Sequence, residues 1–179
     1  MKIGVFCGSR DNVPKIFKTE AKALGSFLGS NNHTIVYGGV NTGLMGELAN
    51  AALKENGEVI GISPIVFKKY GILHKNLSEL ILVDSMHERK LKIYGLSELL
   101  IALPGGFGTF EELTESITWN QIGLHEKPIV IFNVNKYYDP LRSQLETSKK
   151  YGFISEEDEK HYNFVNNMNE LIELIEIQN

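Results

Sequence analysis

The sequence is poor in cysteine, in basic clusters and in long apolar runs, and each shortage removes a class of protein. One cysteine, Cys7, among 179 residues excludes an intrachain disulfide framework. The opening MKIGVFCGSR is interrupted too early for a secretory signal, so a cytoplasmic location is expected. No apolar run approaches the roughly 20 residues that cross a bilayer, and no membrane partner is expected. With 18 basic against 22 acidic residues the net charge is −4, and lysine and arginine gather nowhere densely enough to hold a nucleic-acid polymer. The five histidines (His33, His74, His87, His125, His161) fall in no metal-ligand spacing such as HExxH, so neither a metal nor a cofactor is expected. Repeats, linkers and low-complexity segments are also missing. At roughly 100–200 residues per domain, residues 1–179 read as a single domain.

What is present is an alternation of short apolar runs and amphipathic stretches. Strands are expected at Lys2–Cys7, Thr34–Tyr37, Glu58–Ile62, Glu79–Val83, Leu99–Leu103, Pro128–Val134 and Phe164–Val165. Helices are expected at Pro14–Leu28, Leu44–Lys54, Met86–Leu96, 109–122, Tyr138–Lys150 and Met168–Ile177, with Gly29 and Asn31 ending the first. Residues 63–79, with Pro64 and Gly71, read as a loop with a helical turn. This order gives an α/β fold: a Rossmann-like, doubly wound parallel sheet with helices on both faces. Ligands of such sheets bind outside the carboxyl ends of the strands. Three glycine-bearing junctions, at 8–9, 38–46 and 104–108, follow strands and so share that edge.

The junction PGGFGT (104–109) is the most informative. Gly105, Gly106 and Gly108 clear the approach to a helix N-terminus, which suits an anion. Its spacing is neither GxGxxG nor the GxxxxGK[ST] loop. Thr109 and Glu112 have capping-box spacing, so Glu112 is either a cap for its own helix or a carboxylate one turn beyond an anion site. Arg89 falls in the first turn of a helix; alone it reads as a ligand clamp or, with Lys90 and Lys92, as a solvated basic face. The GGVNTGLMG junction (38–46) is either a backbone wrap for a nucleotide or a tight turn with Met45 as core filler, and Cys7 reads as a small buried residue.

Taken together, GS at 8–9, GGxxxGLMG at 38–46, MHxRK at 86–90 and PGGxGTxxE at 104–112 resemble the LOG family of cytokinin-activating phosphoribohydrolases, long mislabelled lysine decarboxylases. The likeness runs to about Val134 and includes TWNQIGLHEKPI at 118–129. It implies hydrolysis of the N-glycosidic bond of an adenosine-type 5′-monophosphate, with or without an N6-prenyl group, by a homodimer. On the matching positions Arg89 and Glu112 are the implied catalytic pair, and Gly105, Gly106, Gly108 and Thr109 the phosphate holders. Ser9, Gly39, Gly43, Met86 and Lys90 are further implied substrate contacts. Val40 departs from a third consecutive glycine. The alternative is a non-catalytic carrier of a nucleotide-like or molybdopterin-type phosphate ligand.

Overall fold

The computed structural model describes residues 1–178. Seven parallel strands form one sheet: β1 (Lys2–Phe6), β2 (Thr34–Tyr37), β3 (Val59–Pro64), β4 (Glu79–Val83), β5 (Leu99–Ala102), β6 (Ile129–Phe132) and β7 (Asn163–Val165). Their order is β4-β3-β2-β1-β5-β6-β7. The chain winds outward from β1 to one edge, then returns to pair β5 with β1 in the register Ile3↔Leu99 to Phe6↔Ala102. That reversal is the topological switch point, and it opens a crevice between the loops after β1 and β5. Six helices cover the sheet: α1 (Lys15–Ser30), α2 (Gly43–Lys54), α3 (Met86–Leu96), α4 (Phe107–Gln121), α5 (Asp139–Lys150) and α6 (Met168–Gln178). No helix among the described residues is long and apolar enough to cross a membrane.

Period-two alternation along the strands splits the core into two layers. Ile3, Val5, Ile35 and Tyr37 face α1, α2 and α6, packing on Leu24, Leu28, Leu48 and Leu171. Phe6, Val36, Ile60 and Ile62 face the opposite way, onto Ile93, Leu113 and Tyr138 from the α3, α4 and α5 side. The central strands are apolar on both faces because both are covered.

The end of α1 differs from the sequence expectation for a packing reason. Gly29 does not end α1; it lies inside the helix, one turn beyond Gly25, and both are buried where α1 crosses α2. A Cβ on Gly25 would strike the Leu48 carbonyl oxygen, and one on Gly29 would lie 2.6 Å from that of Ala52. These glycines set how closely the helix axes approach. Gly25→Ala is therefore expected to destabilise by about 1–3 kcal/mol through overpacking, despite the propensity gain. At ~2–4 °C per kcal/mol for a chain of this size, melting falls by several degrees. Gly95→Ala, exposed on α3 with nothing within 4 Å of the added methyl, should instead gain up to ~1 kcal/mol. Thermal melts of the two variants check the opposite signs.

The 63–79 stretch has the expected helical turn within a loop. Its 3-10 turn, Ile65–Tyr70, ends at Gly71 with φ +66°, and the following residues return to the sheet edge. Val40 bridges to Leu73, Asn41 N–H donates to the Ile72 carbonyl at 2.9 Å, and His74 N–H donates to that of Gly39 at 2.9 Å. The segment is thereby fixed as a wall above the crevice.

Candidate active site

The loops after β1 and β5 are tied together by the Gly8 N–H, which donates to the Pro104 carbonyl at 3.0 Å. Beside them a cavity of about 760 Å³ opens, within the ~300–1,000 Å³ usual for small-ligand sites. One wall is Gly105, Gly106, Gly108 and Thr109; Arg89 and Glu112 form the floor, with Ser9 and Met86 also lining it. Phe17, Val40, Phe67 and Ile72 make the walls strongly apolar.

The helix after β5 starts earlier than the sequence suggested. Gly106 is the N-cap of α4, with no side-chain cap, and the first intrahelical bond runs from Phe110 N–H to the Gly106 carbonyl at 3.0 Å. The capping-box reading of Thr109 and Glu112 is corrected accordingly. Thr109 is the third residue of the helix; its side chain fills the space that a Cβ on Gly105 would need. The N–H groups of Phe107, Gly108 and Thr109 have no partner among the described residues. They form a helix N-terminus that faces the cavity, a favourable seat for an anion.

The N-terminus of α2 is different, although its junction is equally rich in glycine. Gly43 N–H donates to Asp11 Oδ1 at 2.8 Å, and Leu44 N–H to the Gly8 carbonyl at 2.9 Å. The chain's own oxygens occupy these donors. Gly39 (φ +73°) and Gly43 (φ +57°) serve the backbone turn and do not line the cavity. Their carbonyl and amide groups belong to the turn that carries Val40 and Thr42 to the cavity wall.

Ser85 caps α3, accepting from Glu88 N–H at 3.1 Å, and so starts the helix that carries Arg89. Arg89 and Glu112 are only 5% and 3% exposed. Arg89 Nη1 donates to Glu112 Oε1 at 2.7 Å, and Nε donates to the Ile62 carbonyl at 3.1 Å. A solvated basic face is thereby ruled out for Arg89. Glu112 Oε2 has no protein partner among the described residues, so it is the oxygen available to a ligand. Burial raises the Glu112 carboxyl above the ordinary glutamate range, and the Arg89 charge opposes that shift. Cys7 also lines the cavity; burial pushes its thiol far up, with the Glu112 charge adding to the effect, so it stays neutral.

Lys90 is not brought to the cavity. It is buried on the neighbouring face of α3, paired with Glu111 and, at 2.9 Å, with Glu115. Burial pulls its ammonium down, but the bonds to the two carboxylates outweigh this and raise it. Tyr94 completes the contact, donating to the Glu112 carbonyl at 3.0 Å, with its hydroxyl also 3.0 Å from Glu115 Oε2. Lys90 therefore clamps α3 to α4. The i,i+4 pair Glu111 and Glu115 was its readable signal. Sequence reasoning missed Tyr137, whose hydroxyl donates to the Gly105 carbonyl at 2.5 Å and lines the cavity. No local motif announces it. Asp11, capping α2, and Phe67 and Ile72, on the wall, were missed too.

The family profile described as "Possible lysine decarboxylase" matches residues 45–175. A cytokinin riboside 5′-monophosphate phosphoribohydrolase of Rhodococcoides fascians is 42% identical over 154 residues, covering 86% of this chain and 78% of the relative. The Arabidopsis thaliana enzyme of that name, LOG1, is 42% identical over 154 residues, covering 86% and 72%. Among solved structures, the molybdenum cofactor binding protein of Rippkaea orientalis superposes with a TM-score of 0.74 at 23% identity, covering 98% of this chain and 95% of that one. That last likeness is one of fold alone. With the profile spanning most of its length and relatives 42% identical over 86% of it, the chain belongs to the LOG family.

Proposed function

We propose that this protein hydrolyses the N-glycosidic bond of adenosine-type nucleoside 5′-monophosphates, with or without an N6-prenyl group, to the free base and ribose 5-phosphate. The observation that carries the reading is a buried Arg89–Glu112 pair on the floor of the same cavity that receives the free N–H groups of α4. The names of the relatives support it. The phosphate sits at the α4 N-terminus, held by the backbone of Gly106 and Gly108 and by Thr109. The ribose lies over Glu112, and the base lies among the apolar walls, with Ser9 and Met86 at the rim.

In the reaction the bond from the anomeric carbon to the base nitrogen breaks and its electron pair leaves with the base. Positive charge develops on the anomeric carbon and ring oxygen, and Glu112 Oε2 stabilises it. Water adds its oxygen to the anomeric carbon, and its proton balances the base. A lysine decarboxylase would need a lysine at the ligand, and no lysine among the described residues lines this cavity. A phosphate-ligand carrier would need the cavity but not a buried carboxylate beside the sugar. We place the enzyme in the cytoplasm as a single-domain chain working as a homodimer on a small nucleotide, without nucleic-acid polymers, metal or cofactor.

Incubation with AMP and with N6-prenylated AMP, followed by chromatography, is expected to release base and ribose 5-phosphate in equal amounts. No release from either substrate at high enzyme concentration overturns the reading, and tight binding without turnover favours the carrier. Light scattering on the same preparation should give twice the chain mass; a single-chain mass removes the homodimer.

A further inference from the structure

Two nitrogens of the Arg89 guanidinium are held by hydrogen bonds, Nε on the Ile62 carbonyl and Nη1 on Glu112. The third, Nη2, lies where a side chain at position 38 would begin. A Cβ on Gly38 would overlap Nη2 and lie 3.1 Å from Arg89 Cζ and 3.3 Å from Met45 Cε. Gly38 differs here from the other glycines of its junction. Gly39 and Gly43 adopt positive φ, where side-chain-bearing residues are strained, but Gly38 does not. Alanine at position 38 is conformationally acceptable, so glycine there answers a need for space. The neighbour also differs. At Gly25 and Gly46 an added methyl meets backbone of another segment, whereas at Gly38 it meets the end of an arginine side chain. The guanidinium can yield where the fold cannot.

We propose that Gly38 is a positioning residue for the reaction: its bare Cα is the seat that keeps the Arg89 guanidinium on Glu112, and any side chain there unseats it. An arginine moved off this seat gives up its bonds to Glu112 and Ile62. Glu112 is then left as a buried carboxylate with its nearest positive charge withdrawn, and it takes up a proton more readily. The same displacement disturbs the carboxylate that faces the sugar, where misplacement by about 1 Å costs on the order of 10²-fold in rate. The kinetic part rests on the hydrolase reading; the electrostatic part does not.

The test combines Gly38→Ala with Arg89→Lys, a change that removes Nη2 while keeping a positive charge. The Glu112 carboxyl carbon is followed by 13C NMR through a pH titration in each protein. In Gly38→Ala the Glu112 midpoint is expected to rise by about one unit or more, and kcat to fall about 10–100-fold. In the Arg89→Lys background, adding Gly38→Ala is expected to move neither quantity further. The proposal is overturned if Gly38→Ala leaves the Glu112 midpoint unchanged, or if it has the same effect in both backgrounds. Should Gly38→Ala fail to fold, recovery of folding in the double variant supports the seat, and failure of both overturns it. Absence of hydrolysis by every form would sink the hydrolase reading and leave the titration arm standing.

Discussion

Glutamine in place of Glu112 is expected to lower turnover on the order of 10²-fold or more, while the protein stays folded. The two side chains are almost the same size, and the amide oxygen can still accept the Arg89 Nη1–H now given to Oε1. What disappears is the full negative charge beside the anomeric carbon, the term that grows as the glycosidic bond stretches. Because Glu112 and Arg89 are buried at the cavity floor, that charge acts at a lower effective dielectric than at the surface, where it would be worth far less. Glu112 is also costly to ionise where it sits, so a neutral replacement does not strip the fold of a strong stabiliser. The expected pattern is a large fall in kcat with little change in melting temperature, read by base release and calorimetry. Normal turnover in Glu112→Gln would reduce the carboxylate to a structural contact.

Removing the partner charge is expected to move the pH profile. In Arg89→Met, Glu112 keeps its burial and loses the nearby cation that holds its carboxyl down. An opposite charge at this range is worth about 1–3 units, so the acid limb of kcat/KM should shift to higher pH by that order. The sign follows from the reactive form: the ionised carboxylate works, so activity is lost as pH falls through the raised value. Stability moves the other way. With its folded pKa above the unfolded one, Glu112 binds more protons folded than unfolded between the two values, and stability falls as pH rises across that window. Arg89→Met should therefore melt at lower temperature near neutral pH than just below its new acid limb. A kcat/KM profile superimposable on that of the unaltered enzyme would show that Arg89 does not govern Glu112.

The strands and helices were legible because each apolar run is short, bounded by glycine, proline or asparagine, and followed by a 3.6-residue pattern. Their seven-strand parallel arrangement follows from that alternation. What remained closed was everything decided across the sheet. Thr109 and Glu112 carry capping-box spacing, yet Gly106 lets the helix begin one turn sooner, and only the backbone reveals it. Arg89, Lys90 and Lys92 look alike in sequence, but two are buried by carboxylates on α4 and the third is half exposed. The 38–46 junction stays open in sequence between a nucleotide wrap and a tight turn, until Asp11 and the Gly8 carbonyl are seen to fill its donors. Tyr137 lies 32 positions from the carbonyl it binds, a separation at which periodicity carries no information. The fold was local grammar, whereas the site is long-range pairing.

The turn between β5 and α4 carries a consequence for how ligand is captured. It is fastened from two directions, by Gly8 N–H on the Pro104 carbonyl and by the Tyr137 hydroxyl on the Gly105 carbonyl. Freezing one residue's backbone costs roughly 1–2 kcal/mol of entropy, and glycines have the most freedom to lose. Here that cost falls during folding, before any nucleotide arrives. The donors of the turn already point into the cavity, at the proposed phosphate position, so on that reading the attraction between anion and helix appears as affinity without being spent on ordering a loop.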